Sequence, residues 1–435
     1  CIRDRVTIDI VGGRITAVAS STEPSGDLAR LPGITMPGAA NTHSHAFHRA
    51  LRHRSQTGRG SFWTWREQMY AVAAALDPDR YHRLARAVFG EMVQGGFTSV
   101  GEFHYLHHRP DGTPYADPNA MAEALAEAAA AVGIRITLLD TAYLHGGLDG
   151  DGYQALSDRQ LRFGDDSVEA WAERVAAIPE GAGRRVGAAV HSVRAVDPTA
   201  ITAVAEWAVD RDAPLHAHVS EQPLENEQCL AAHGRTPVEL LADCGALGAS
   251  FTAVHATHLA DRDIALLGDS KAGVCLCPTT ERDLGDGVGP ARRLADAGAQ
   301  LSIGSDSHAV IDPFEETRAI ELDERLTRGE RGCLTSAELA STMSAGHRSL
   351  GWRDAGELAV GNRADLVTIA LDSVRTAGSV PDAVTEGLVF GAATADVTDV
   401  MIGGVNVVEQ GQHRHIDVAG ELASAIDELI RVADA

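Results

Sequence analysis

Lysine is all but missing from this chain: of its 37 basic residues Lys271 is the single lysine, and the rest are arginines. Positive charge of any kind is scarce, and the formal net charge of -24 argues against binding a phosphate backbone, so no nucleic-acid partner is expected. An anionic small molecule is still allowed, because it needs only a local cluster of arginines. Apolar runs approaching the roughly 20 residues of a membrane span are absent, so no membrane partner is expected. The opening Cys1-Ile-Arg-Asp-Arg5 does not read as a signal peptide. Cysteine is sparse too: there are six, and none forms a Cys-x-x-Cys pair. Cys275 and Cys277 flank Leu276 in an apolar run, the setting of buried free thiols rather than metal ligands. A reducing, cytoplasmic location is the expectation. No Gly-x-Gly-x-x-Gly follows any strand-like run, which weakens an open, doubly wound sheet.

What is present is an ordinary globular composition, 44% hydrophobic and 23% charged, over 435 residues, enough for a large barrel and a small accessory domain. Arg5 to Ser20 reads as a hairpin turning at Gly12-Gly13, too short to stand alone. Its expected partners are the β-rich, Gly-punctuated stretches 356–370 and 397–409. Both termini would then build one small β-sandwich, 1–36 with 356–420, around a central domain at 37–355.

Inside that domain short apolar runs alternate with helical stretches. The runs end at Thr42 or cover Phe97 to Phe103, Ile134 to Leu139, Val186 to Val190, Pro214 to Val219, Phe251 to His255, Gly273 to Cys277 and Leu301 to Gly304. Helical segments are expected at 77–94, 117–132, 168–178, 198–209, 236–244, 261–267, 290–297 and 313–327. Several open with Asp-Pro or Thr-Pro, a cap followed by proline at the first helical position. Strand–helix alternation repeated eight times spells an α/β fold, a (β/α)8 barrel of the TIM type, with its active site at the C-terminal strand ends. A last helix is expected at 421–435, where Leu422, Ile426, Leu429 and Ile430 recur at helical spacing. Such a stripe more often packs on its own domain than serves as a dimer handle.

The strand ends carry the chemistry. Asn41-Thr-His-Ser-His45 closes the first run, and residues i and i+2 of an extended chain point the same way. His43 and His45 thus aim two imidazoles at one point, half of a transition-metal site. Other ends bring Glu102 to Tyr105, Thr141 to His145, His191 to Arg194, His216 to Glu221, His255 to His258 and Asp306 to His308. Cys277 to Glu281, after the seventh run, offers no obvious ligand. His43, His45, one histidine of the fifth strand and Asp306 make an N3O set. His218 is favoured over His216 because it stands nearer the strand end. A bridged two-metal site would need a further anion such as a carbamylated lysine near the fourth strand, and Lys271 is too far along the chain. One ion is expected; zinc fits the donors best, with Fe(II) or Mn(II) as alternatives. A metal-bound water ionises near a pH of roughly 7. Asp306 can accept its proton, His255 can orient it, and Glu221 can carry a proton to a leaving nitrogen.

These motifs resemble the amidohydrolase superfamily, over essentially the whole chain, and its mononuclear deaminase branch in particular. The stretches Asn41 to Ala50, Ser61-Phe-Trp-Thr-Trp-Arg-Glu-Gln-Met-Tyr70 and Gly101 to His108 are similar to the N-formimino-L-glutamate iminohydrolases of bacterial histidine degradation. So are His191-Ser-Val-Arg194 and the run from Cys277 through Gly287. The resemblance implies hydrolysis of an amidine C–N bond, releasing ammonia and N-formyl-L-glutamate. It also implies substrate roles for Arg66, Tyr105, His191 and Arg194; two carboxylates suit guanidinium forks. His48 departs from the pattern, where many members carry glutamine; both side chains donate a hydrogen bond, and His48 is a second candidate for the metal. Relatives of this kind are often dimers, which leaves a homodimer open.

Two other readings compete. A deaminase of a purine, pterin or pyrimidine would use the same hydrolytic site with an aromatic or amide-lined pocket. A non-catalytic barrel would lack several ligands, and here the set is complete.

Overall fold

The computed structural model describes residues 6–20, 28–56 and 59–433. Cys1, Arg5 and the last two residues of the expected C-terminal helix lie outside them.

Eight parallel strands form the central sheet: β1 (Ala39–Ser44), β2 (Phe97–His104), β3 (Arg135–Ala142), β4 (Arg184–Val190), β5 (Leu215–Val219), β6 (Phe251–His255), β7 (Gly273–Leu276) and β8 (Gln300–Ile303). Each is hydrogen-bonded to the next in chain order. The seam between β8 and β1 is closed just beyond the strand proper, by a parallel bridge from Ser44 to Asp306. There Asp306 donates its N–H to the His43 carbonyl at 3.0 Å, and His45 donates to the Asp306 carbonyl at 3.3 Å. Strands buried on both faces need near-continuous apolar sequence, which is why the runs were readable. All eight expected strands and all eight expected helices are present, with ends displaced by a few residues.

Helices absent from the sequence reading also appear: Phe62–Ala75, Pro223–His233, Pro278–Leu284, Ser336–Ser349 and Val384–Gly391. Caps explain several starts. Asp77, Asp197, Thr236 and Asp312 each accept a backbone N–H from the first turn, with proline at the first helical position.

The termini meet as expected. Val6–Val11 and Arg14–Ser20 pair antiparallel, joined by Gly12 and Gly13 at φ +58° and +79°, the left-handed pair that a two-residue hairpin turn demands. A five-stranded antiparallel sheet runs in the order Gln412–His413, Val405–Glu409, Val397–Ile402, Leu366–Ile369, Ile34–Pro37. Ile8, Ile10, Ile15 and Val18 of the hairpin pack against Leu358, Ala364, Leu366 and Met401. The hairpin is tied down by Ile15 N–H to the Asn362 carbonyl at 2.9 Å and Gly361 N–H to the Ile15 carbonyl at 2.8 Å.

The last helix spans Val418–Ala433, beginning before the expected position. Leu429 is buried, and Leu422, Ile426 and Ile430 pack against the chain's own main core. Glu421 and Glu428 pair with Arg86 and Arg83 of the helix Pro78–Gln94.

Candidate active site

The strand ends converge as their spacing suggests. His43 and His45 leave the end of β1, His218 that of β5, and Asp306 follows β8; all four are buried. His218 Nε2 lies 3.1 Å from His43 Nε2 and 3.3 Å from His45 Nε2. Asp306 Oδ1 is 3.3 Å from His43 Nε2 and 3.5 Å from His45 Nε2. Ligand atoms arranged tetrahedrally around one zinc, each roughly 2.0–2.1 Å away, stand about 3.3 Å apart.

The surroundings fix which ring nitrogens are free. His45 Nδ1–H donates to the Phe103 carbonyl at 2.9 Å, and His218 Nδ1–H donates to the His191 carbonyl at 2.9 Å. A carbonyl only accepts, so both Nδ1 atoms carry the proton and both Nε2 atoms present a bare lone pair. Burial holds both rings well below the usual histidine pKa, and lowers His43 as well. Burial disfavours charge on Asp306, yet hydrogen bonding to His43 keeps its carboxyl well below the usual range. The bare Nε2 lone pairs of His45 and His218, 3.3 Å apart, repel one another, and a cation beside them relieves it. The four separations, 3.1–3.5 Å, are of the size one divalent ion needs.

His216 faces inward two residues earlier on β5 and bonds the Ser349 carbonyl at 2.9 Å through Nε2, away from the cluster. His48 Nε2 lies 3.0 Å from the Tyr105 hydroxyl, while its Nδ1 is buried without a partner. It also has a ring nitrogen within 4.8 Å of His45 and Asp306 donor atoms, so His48 remains beside the cluster as well as beside the pocket.

Behind β1 stands Glu102, on β2. Its carboxylate accepts from Ser44 Oγ at 2.5 Å and from the Ala46 N–H at 2.7 Å, and burial pushes it up to about 8. Asn41 Nδ2 donates to Ser305 Oγ at 2.6 Å, and Ser305 N–H donates back to Asn41 Oδ1 at 2.9 Å. These bonds clamp the loop after β8 onto the end of β1.

Beside the donors stands His255. Its Nε2 is 3.8 Å from Glu221 Oε1 and 3.9 Å from Asp306 Oδ2, and its Nδ1 is 3.4 Å from Glu281 Oε1. Burial opposes a charge there, but the Glu221, Glu281 and Asp306 carboxylates hold the ring well above the usual histidine pKa. Burial raises Glu221 to about 7 and Asp286, which accepts from Gln222, to about 9. Backbone strain gathers at the same place. Ser220, His255, Ala256, Asp306 and His308, five of the nine non-glycine residues with positive φ among those described, adopt φ between +41° and +68°, a region non-glycine residues seldom occupy.

The cluster opens into a cavity of about 300 Å³. Arg66, Tyr105, His191 and Arg194 line it, together with His48, Glu221, His255 and Asp306. Arg66 comes from the helix Phe62–Ala75, donates to the Tyr70 hydroxyl at 2.7 Å and sits over the rings of Trp63 and Tyr70. Arg194 follows β4 and stands 3.8 Å from Glu225. The small hairpin Gly147–Asp149 with Gly152–Gln154 covers part of the mouth.

Tyr70, Tyr143, Gln228 and Leu284 also line the cavity. All but Gln228 fall within stretches singled out in the sequence, yet none has a role of its own there, nor do Glu281 and Asp286. Nothing local marks Gln228. Cys275 and Cys277 are buried free thiols, as expected. Among the described residues no helix is long and apolar enough to cross a membrane.

A model of the amidohydrolase family matches residues 34–407. The formimidoylglutamate deiminase of Pseudomonas aeruginosa is 38% identical over 409 residues, 91% of this chain and 88% of that protein. The 8-oxoguanine deaminase of the same organism is 29% identical over 401 residues, 90% of this chain and 85% of its own. Among solved structures, an amidohydrolase from Brucella melitensis superposes with a TM-score of 0.89 at 35% identity, covering 98% of this chain and 96% of that one.

Proposed function

The chain belongs to the amidohydrolase family, and from that premise we propose that it hydrolyses N-formimino-L-glutamate to N-formyl-L-glutamate and ammonia. One observation carries the reading beyond the family. Two guanidiniums, Arg66 and Arg194, line the same cavity as the histidine–aspartate cluster, so an acidic amino-acid derivative can be gripped at one end and attacked at the other.

His43, His45, His218 and Asp306, with donor atoms 3.1–3.5 Å apart along the His218–His43, His218–His45, His43–Asp306 and His45–Asp306 contacts, would hold a divalent cation, zinc by preference, with Fe(II) or Mn(II) as alternatives. Bound there, it supplies the Lewis acidity that lets a water molecule ionise near neutral pH. The chain's own groups do the rest. Asp306 Oδ2 faces His255, 3.9 Å away, and takes the proton the attacking water gives up. His255 sits where negative charge develops as the formimino carbon becomes tetrahedral. Glu221, raised to about 7 by burial, hands a proton to the departing nitrogen. Tyr105, His191 and His48 shape the wall between the reacting carbon and the arginines.

A second reading has its own support. Trp63, Trp65, Tyr70, Tyr105 and Tyr143 give the cavity aromatic walls, which suit a flat ring, and one relative deaminates 8-oxoguanine. Ammonia release over formiminoglutamate, formiminoaspartate, formiminoglycine, guanine, 8-oxoguanine and cytosine separates the two. Turnover of formiminoglutamate above the others supports the proposal; turnover of a nucleobase alone rejects it.

A further inference from the structure

We propose that Glu281, after the seventh strand, is a positioning residue that fixes the imidazole plane of His255 for the hydrolysis proposed above. The geometry is that of a carboxylate standing behind a working histidine. Glu281 Oε1 lies 3.4 Å from His255 Nδ1, while the opposite ring nitrogen faces the gap between Glu221 and Asp306. Such an outer partner sets which way a ring points and which nitrogen donates.

Glu281 is itself held still. Its Oε1 also accepts the Cys277 N–H at 2.9 Å, at the start of the helix Pro278–Leu284, and its backbone carbonyl accepts the Asp286 N–H at 2.9 Å. It is buried with His255. His255 needs outside support, because its backbone sits at φ +68° and the following Ala256 at +52°. A ring mounted on strained backbone with no fixed partner could swing about χ1 and χ2; among the described residues Glu281 is the hydrogen-bond partner of its Nδ1, with the Cys277 thiol within 4.8 Å. Capping the helix is the ordinary explanation for Glu281, and it predicts loss of stability alone.

The test compares Glu281→Gln with Glu281→Leu in the whole protein, using formiminoglutamate. Glutamine keeps a carbonyl oxygen for both the Cys277 N–H and the His255 Nδ1–H; leucine keeps neither. The expected result is a kcat about 10- to 100-fold lower for Glu281→Leu with KM within about threefold, and substantial rescue in Glu281→Gln. A folded Glu281→Leu protein with parental kcat overturns the proposal. A second measurement needs neither turnover nor a variant of Glu281. In ¹⁵N-histidine spectra of the unmodified protein, with His255 assigned by its loss in His255→Asn, Nδ1 is expected at the shift of a protonated nitrogen. A bare Nδ1 there overturns the proposal. Failure of the parent to release ammonia from formiminoglutamate would sink the substrate assignment and leave the spectral result to decide on Glu281.

Discussion

Asp306 touches His43 twice: its backbone N–H donates to the His43 carbonyl at 3.0 Å, and its carboxylate Oδ1 lies 3.3 Å from His43 Nε2. Two of the residues that close the barrel between β8 and β1 therefore also face each other as donors.

Metal removal should accordingly destabilise the fold as well as stop turnover. A ligand that binds only the folded state at 100 times its dissociation constant adds about 2.7 kcal/mol. Thermal unfolding with and without a chelator checks this: Tm is expected to fall on chelation and recover on adding zinc. A Tm indifferent to both would separate the seam from the ion.

His218 and His216 face the same way on β5, yet should behave oppositely. His218→Ala removes a donor and should lower metal content and activity together. His216→Ala leaves the Ser349 carbonyl without its partner and should cost about 1–3 kcal/mol of stability while metal content holds. Metal analysis and denaturant melts on the two variants distinguish them.

Arg66→Met and Arg194→Met should each lower kcat/KM for formiminoglutamate by about 10- to 100-fold, the worth of a charge-assisted hydrogen bond of about 1.5–3 kcal/mol. Formiminoglycine, which has one carboxylate fewer, should lose less in at least one of the two variants. Equal losses on both substrates in both variants would mean that neither guanidinium reads the side-chain carboxylate.

Glu221 gives the pH dependence its sign. Burial raises its carboxyl to about 7, so the proton is present below neutrality and gone above it. A group that must donate this proton loses effectiveness as pH rises, and kcat should fall through about pH 7. Glu221→Gln, which has no such proton to give, should lose at least about 100-fold in kcat and lack that limb. A pH profile unchanged by the substitution would remove Glu221 from the mechanism.

Much of the barrel was legible because the strands are buried on both faces and several of the following helices announce themselves with a cap and a proline. His43 with His45 could be read from alternation alone. Period two could not separate His216 from His218: both point inward, and only the depth of Ser349 beneath one of them decides. The helix Phe62–Ala75 escaped notice because Trp63 and Arg66 turn to the cavity or to solvent and blur any apolar stripe. Glu281 was invisible for a different reason. It works behind a histidine from another strand, and no spacing along the chain records that contact.

On this reading four side chains gather one cation. Elemental analysis after loading with zinc, Fe(II) or Mn(II) and exhaustive dialysis tests it most directly. About one ion per chain is predicted for the parent and close to none for a protein carrying both His43→Ala and His218→Ala. A parent that retains no metal, or a double variant that retains as much as the parent, would contradict it.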